Sequence, residues 1–152
     1  MRVAKEYNDF CMVVGEPAIG PRTWIGAFTV IDGSGGLVIG AGCDISCGVH
    51  IYTHDTVHRC HTGTAYHADG SKNRDAIEKS PVSIGDHVFI GANSVILRGV
   101  TIGSNAVIGA GSVIKAGTVI GPGELWAGNP ARFIRMYEPS GATKPPRTRS
   151  RP

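Results

Sequence analysis

Isoleucines fall every sixth residue along most of the chain. Ile84, Ile90, Ile96, Ile102, Ile108, Ile114 and Ile120 keep this spacing without a miss, and so do Ile19, Ile25, Ile31 and then Ile39, Ile45, Ile51. A helix repeats its apolar face about every 3.6 residues and a half-buried strand about every 2. A strict period of six fits neither. It predicts an all-β solenoid in which each hexapeptide forms one short strand and one corner, with the isoleucine turned to the axis.

The other positions of the repeat agree. Three residues after successive isoleucines come His87, Asn93, Gly99, Asn105, Gly111, Gly117 and Gly123. Glycine and asparagine tolerate left-handed backbone, which a repeated tight corner demands. Four residues after come Val88, Ser94, Val100, Ala106, Ser112 and Thr118, small or β-branched side chains suited to a crowded interior. Glycine directly follows many of the isoleucines (Gly85, Gly91, Gly103, Gly109, Gly121).

The grid is broken twice. Between Ile31 and Ile39 the segment IDGSGG carries a two-residue insertion at a corner. Between Ile51 and Ile84 it lapses for 33 residues, leaving a long polar loop over residues 52–81 that contains His54, His58, His61 and His67. Long irregular loops inside regular solenoids are commonly functional. Residues 1–12 precede the grid and are expected to cap the open first coil. The repeat domain is expected over 13–137, closed by a short helix from about Pro130 to Tyr137, with Asn129 as its N-cap and Pro130 at the first helical position. Leu125, Trp126, Phe133 and Ile134 would bury the inner face of that helix.

An aliphatic residue, then glycine, two variable positions and a small residue is the repeat of the left-handed parallel β-helix, or hexapeptide, acyltransferases. The chain resembles that family over about residues 13–136. The stretch PVSIGDHVFIGANSVILRGVTIGSNAVIGAGSVIKAGTVIGPGELWAGNPARFIR, residues 81–135, is similar to its C-terminal half almost throughout. The resemblance implies three hexapeptides per triangular turn and a homotrimer with active sites at subunit interfaces. It also implies acetyl-CoA as acyl donor and a sugar or nucleotide-sugar hydroxyl or amine as acceptor, with direct transfer in a ternary complex.

Acyl transfer from a thioester needs a base for the acceptor proton, stabilisation of the oxyanion and a hold on the thioester. Histidine suits the first task near neutral pH. His54 stands three residues after Ile51, where the loop leaves the solenoid, and the resemblance gives it the role of catalytic base. Asp55 is a candidate for orienting the imidazole or contacting the acceptor, although adjacent side chains in extended backbone diverge. In the preceding coil, Asp32 within IGAFTVIDGS is the candidate acceptor contact. The resemblance further implies backbone contacts to the donor from Ala92 and Ala110, and contacts to its phosphates and nucleotide end from Lys115 and from Arg132 in GNPAR. A γ-class carbonic anhydrase uses the same fold with three histidines on zinc, two in one coil and one about two coils away. Here His54, His58 and His61 cluster in one loop and the coils themselves hold only His50 and His87, so no metal site is expected. A non-catalytic scaffold would need neither the corner histidine nor GNPAR.

Composition changes the picture in one respect. The net charge is +3 over 152 residues, but residues 139–152 carry Lys144, Arg147, Arg149 and Arg151 without an acid. That leaves 11 basic against 12 acidic residues in the rest. The body is nearly neutral and gives no footprint for nucleic acid. Residues 138–152, Pro-, Ser- and Arg-rich, are expected to form a disordered basic tail. No apolar run reaches membrane-spanning length and the N-terminus lacks a signal-peptide core, so a cytoplasmic location is expected. Cys11, Cys43, Cys47 and Cys60 form no CxxC pair and are expected to be reduced, with Cys43 near the coil interior.

Overall fold

A computed structural model describes residues 10–138. The chain winds as a parallel β-helix. In order, the strands are β1 (Met12–Val14), β2 (Ala18–Ile19), β3 (Trp24–Ile25), β4 (Val30–Asp32), β5 (Leu37–Ile39), β6 (Asp44–Ile45) and β7 (His50–Ile51). The inserted loop follows, with β8 (His54–Asp55), the short helix α1 (Val57–His61) and β9 (Glu78–Lys79). Winding resumes with β10 (Val82–Ile84), β11 (Phe89–Ile90), β12 (Val95–Ile96), β13 (Thr101–Ile102), β14 (Val107–Ile108), β15 (Val113–Ile114) and β16 (Val119–Ile120). The chain closes with β17 (Glu124–Gly128) and β18 (Ala131–Met136). Among the described residues no helix is long and apolar enough to cross a membrane.

Every third strand stacks in the same sheet. Sheet one holds β1, β4, β7, β12 and β15; sheet two holds β2, β5, β10, β13 and β16; sheet three holds β3, β6, β11, β14, β17 and β18. Ile90 pairs with Ile108 and Ile96 with Ile114 in parallel register, so one turn takes 18 residues. Sheets one and two meet at an edge carrying Asp32, His54, Arg98 and Lys115. Sheets two and three meet at one carrying His87, Asn105 and Gly123, and sheets three and one at one carrying Ala92 and Ala110.

Twelve of the thirteen grid isoleucines are at most 1 % exposed, and Ile19 in the outermost stretch packs partly against them. Burying each one is worth about 1.5–3 kcal/mol, which is why the register is so strict. The third-position residues His87, Asn93, Gly99, Asn105, Gly111, Gly117 and Gly123 all have positive φ, between 55° and 73°. Val88, Ser94, Val100, Ala106 and Ser112 are buried behind them. Where glycine follows an isoleucine there is a steric reason: a Cβ on Gly91 would lie closer than 3.0 Å to the Ala110 nitrogen of the next coil. Cys43 is buried, and burial pushes its thiol pKa up.

Two expectations need correction or restriction. The segment after Asn129 is not a helix. Ala131–Met136 runs antiparallel to β17 and extends sheet three by one strand. Without it, the last parallel strand would leave a row of unpaired backbone groups. Only Ala131 of β18 is buried, while Phe133 and Ile134 are about half exposed instead of covering the coil end. At the other end β1 already begins within the segment expected as a cap and pairs with β4. Residues 1–9 of that cap and 139–152 of the expected tail lie outside the described residues.

Candidate active site

The loop leaves the prism on a two-stranded stem. β8 and β9 pair antiparallel, His54 opposite Lys79 and Asp55 opposite Glu78. Thr53, fully buried, turns the chain there: its carbonyl accepts from Ser80 N at 2.9 Å and its hydroxyl accepts from Gly35 N at 2.8 Å. His54 thus sits where regular winding stops, with its side chain one-third exposed.

Behind the imidazole lies Asp32, at 1 % exposure. Ile31 stacks on Ile51, so Asp32 and His54 share one edge of the prism in consecutive coils. His54 Nδ1 is 2.6 Å from Asp32 Oδ2. The same oxygen accepts from Thr53 N at 2.8 Å and Thr53 Oγ1 at 2.9 Å, while Oδ1 accepts from Ser34 N at 2.9 Å. Ser34 Oγ lies 3.3 Å from His54 Nδ1. Burial alone would raise the Asp32 pKa, but hydrogen bonds from Ser34, the Thr53 backbone and His54 outweigh it and hold the carboxyl well below the usual carboxylate range. Expected as an acceptor contact, Asp32 has both oxygens engaged inside the protein and faces the imidazole.

Asp55 points the other way. Its Oδ2 accepts from Arg98 Nε, and Glu78 Oε2 accepts from Arg98 Nη2 at 2.5 Å. The hydrogen bond from Arg98 holds the Asp55 carboxyl below its ordinary range. Arg98, on the next coil at the same edge, clasps both strands of the stem. The carboxylate against the imidazole is therefore Asp32, not Asp55. Beyond the stem the loop is ordered by its own contacts, including Thr64 N to Arg59 O at 2.9 Å and Arg59 Nη1 to Asn73 O at 3.2 Å. His58, His61 and His67 are exposed on it, and among the described residues no three His, Cys, Asp or Glu side chains gather as metal ligands.

The residues expected to hold the donor lie elsewhere. Ala92 and Ala110 stack in successive coils at the edge between sheets three and one, tied by Gly111 N to Ala92 O at 2.8 Å. Neither alanine N–H has a partner among the described residues. Lys115 is exposed at the edge that carries His54, two coils on. Arg132 is exposed on β18, its Nη1 donating only to the neighbouring Ala131 carbonyl at 3.1 Å. Within one chain, then, His54 and the two alanines stand on opposite edges of sheet one. Thr53, Ser34 and Arg98 were not among the sequence candidates. The grid held the signal for Arg98, which follows Ile96 by the same two residues that separate Thr53 from Ile51.

Residues 81–121 match the family described as hexapeptide repeat of succinyl-transferase. Among solved structures, the chain is similar to AntD, an N-acyltransferase from Bacillus cereus in complex with dTDP and 3-hydroxybutyryl-CoA. Identity is 27 % over 87 % of this chain and 69 % of that one, with a TM-score of 0.71. A maltose O-acetyltransferase from Clostridium difficile 630 is 28 % identical over 86 % of this chain and 68 % of its own, with a TM-score of 0.59. A hexapeptide-repeat acetyltransferase from Vibrio cholerae is 27 % identical over 83 % and 70 %, with a TM-score of 0.57. No curated protein sequence matches the chain.

Proposed function

We propose that this chain, a member of the hexapeptide-repeat acyltransferase family, moves an acetyl group from acetyl-CoA to a hydroxyl or amine of a sugar or nucleotide-sugar, with His54 as general base. The observation that carries the reading is the 2.6 Å contact between His54 Nδ1 and Asp32 Oδ2. An ionised carboxylate only accepts hydrogen bonds, so Nδ1 holds the proton and Nε2 keeps its lone pair. Nε2 then takes the proton of the acceptor as the acceptor oxygen or nitrogen attacks the thioester carbonyl. The tetrahedral oxyanion collapses, the C–S bond breaks, and the imidazolium returns its proton to the departing thiolate. Asp32 stabilises the transient imidazolium through Nδ1–H without taking the proton. AntD, solved with dTDP-4-amino-4,6-dideoxyglucose and coenzyme A, and the maltose enzyme support an acyl-CoA donor and a sugar acceptor. A nucleotide-linked amino sugar and a free sugar hydroxyl are the two acceptor types to compare.

A single chain holds the base and the donor-contacting alanines on different edges of sheet one, so the reading calls for a trimer. Val30, His50, Val95 and Val113 are in register along the outer face of that sheet. Turning this largely apolar face to a three-fold axis sets the His54 edge of each copy against the Ala92–Ala110 edge of its neighbour. Backbone amides of one chain can then meet the thioester beside the imidazole of the next, with Lys115 and Arg132 toward the phosphates.

Thermal unfolding with acetyl-CoA tests the donor. Millimolar acetyl-CoA should raise Tm by mass action, and Arg132→Ala should weaken the shift while the unliganded protein melts normally. An absent shift removes the acetyltransferase reading. Sedimentation equilibrium should give a trimer, and a monomer at micromolar concentration contradicts the shared site.

A further inference from the structure

Sheet one presents one polar side chain in an otherwise aliphatic column. Val30, His50, Val95 and Val113 follow one another in register on its outer face, all half-buried. The matching columns of the other faces differ: sheet two carries Ser83 and Thr101 and sheet three carries Asp44, all exposed. A valine at position 50 would complete an unbroken apolar stripe. Histidine interrupts it, and covering that face costs stability unless the ring nitrogens find partners.

One nitrogen already has its partner. His50 Nδ1 lies 3.1 Å from Tyr52 Oη, and the two rings meet edge to face with centroids 5.9 Å apart. Both side chains leave the same face because they flank Ile51, which is buried on the axis. A phenol oxygen accepts as well as donates, so Tyr52 can take the Nδ1–H and leave the Nε2 lone pair uncommitted. Nε2 has no hydrogen-bond partner among the described residues. A metal-binding histidine has this form, one nitrogen fixed by a neighbouring group and the other free to ligate. One imidazole does not hold a metal ion, but a three-fold axis supplies three.

We propose that the His50 side chains of three copies meet on the trimer axis and bind one divalent transition-metal ion of the zinc type through Nε2. The proposal rests on the trimer reading, in which sheet one faces the axis. Three neutral nitrogens suit Zn²⁺, with bonds of about 2.0–2.1 Å and a fourth position for water. They do not suit Mg²⁺ or Ca²⁺, which take oxygen. The ion is structural and sets register. Layers of valine on an axis are alike from coil to coil and do not resist sliding along it, whereas a single polar layer does. His50 precedes His54 by four residues in the same turn. An ion held there fixes the height of the three chains where the base of one must meet the amides of the next.

Zinc titration of the chelator-stripped, full-length protein tests this, with sedimentation equilibrium on the same samples. The expected result is a zinc-loaded trimer with one Zn²⁺ per three chains. His50→Val, which repeats Val30 and Val95, should lose the metal, and His58→Ala combined with His61→Ala on the exposed loop should bind it as the wild type does. Tyr52→Phe should bind Zn²⁺ about 10–100-fold more weakly. Co²⁺ in place of zinc should give the visible absorption of a four-coordinate site in the wild type and not in His50→Val. A trimer that takes up no Zn²⁺ at micromolar concentration, takes up one per chain, or binds equally well as His50→Val overturns the metal site and leaves the transfer reading standing. A monomer with and without Zn²⁺ overturns the metal site and the shared active site together. Should His50→Val fold poorly, Tyr52→Phe makes the same comparison: unchanged zinc affinity there overturns the proposal.

Discussion

Replacing Asp32 with asparagine separates a positioned base from a histidine that merely sits at a corner. The carboxylate receives Ser34 N, Thr53 N, Thr53 Oγ1 and His54 Nδ1. An amide can keep its oxygen on Ser34 N, but its nitrogen then faces Thr53 N–H at 2.8 Å, donor against donor. One buried backbone N–H loses its partner and one charge-assisted bond to His54 is lost, together worth about 3 kcal/mol. For a chain of this size that lowers Tm by about 6–12 °C. The catalytic effect is separate. An amide donor opposite Nδ1 favours the tautomer with the proton on Nε2, which cannot accept one from the substrate. Turnover should fall about 10²–10⁴-fold, with the acetyl-CoA-induced rise in Tm retained. The two effects are read by steady-state thiol release and thermal unfolding on the same preparations. Because the folded Asp32 carboxyl is held below its ordinary value, its contribution to stability is complete above about pH 4 and fades as pH falls toward that lower folded value. Asp32→Asn should lack this acid limb. An Asp32→Asn protein that turns over within about threefold of the wild type refutes the role given to Asp32, since losing a positioned base costs about 10²-fold or more.

Other changes test neighbouring parts of the site and the coil. His54→Ala should cut turnover about 10²–10⁴-fold while acetyl-CoA still raises Tm, and His58→Ala should leave both nearly unchanged; the reverse pattern would move the chemistry into the loop. Arg98→Ala releases Asp55 and Glu78, so limited proteolysis should cut within residues 56–77 faster, with salt producing part of the same effect in the wild type; equal cleavage rates would deny the clasp. Gly91→Ala drives a methyl into the Ala110 backbone nitrogen and should cost about 3 kcal/mol in urea unfolding. Gly121→Ala, whose nearest contact is the Glu124 carboxylate at 2.8 Å, should cost less.

The repeat was readable because one physical demand, an isoleucine on the axis every sixth residue, recurs often enough to set the whole register. The corner residues were readable for the same reason, since each must accept left-handed backbone. The segment from Asn129 was not. Asn-Pro at the end of a repeat satisfies the local rules for starting a helix, yet the open edge of β17 supplies a row of backbone partners that local preference does not see. For Asp32 the position was available but its partner was not. The insertion in IDGSGG sets 20 residues between Ile31 and Ile51, which brings Asp32 under the start of the loop. Whether its carboxylate faces outward to an acceptor or inward to His54 depends on how Thr53 turns, and one sequence does not fix that. Asp55 illustrates the converse. Its neighbour in sequence is His54, but its partner is Arg98, 43 residues away.

If His54, held by Asp32, takes a proton from a sugar acceptor while acetyl-CoA is bound, then the coenzyme thiol is released only when a sugar is there to receive the acetyl group. The assay is thiol release measured across amino and hydroxyl sugars, both free and nucleotide-linked. Release should require one of these acceptors, yield the acetylated sugar in equal amount, and drop at least about 10²-fold in His54→Ala. Thiol release that ignores every acceptor, or that His54→Ala sustains at the wild-type rate, would contradict this mechanism.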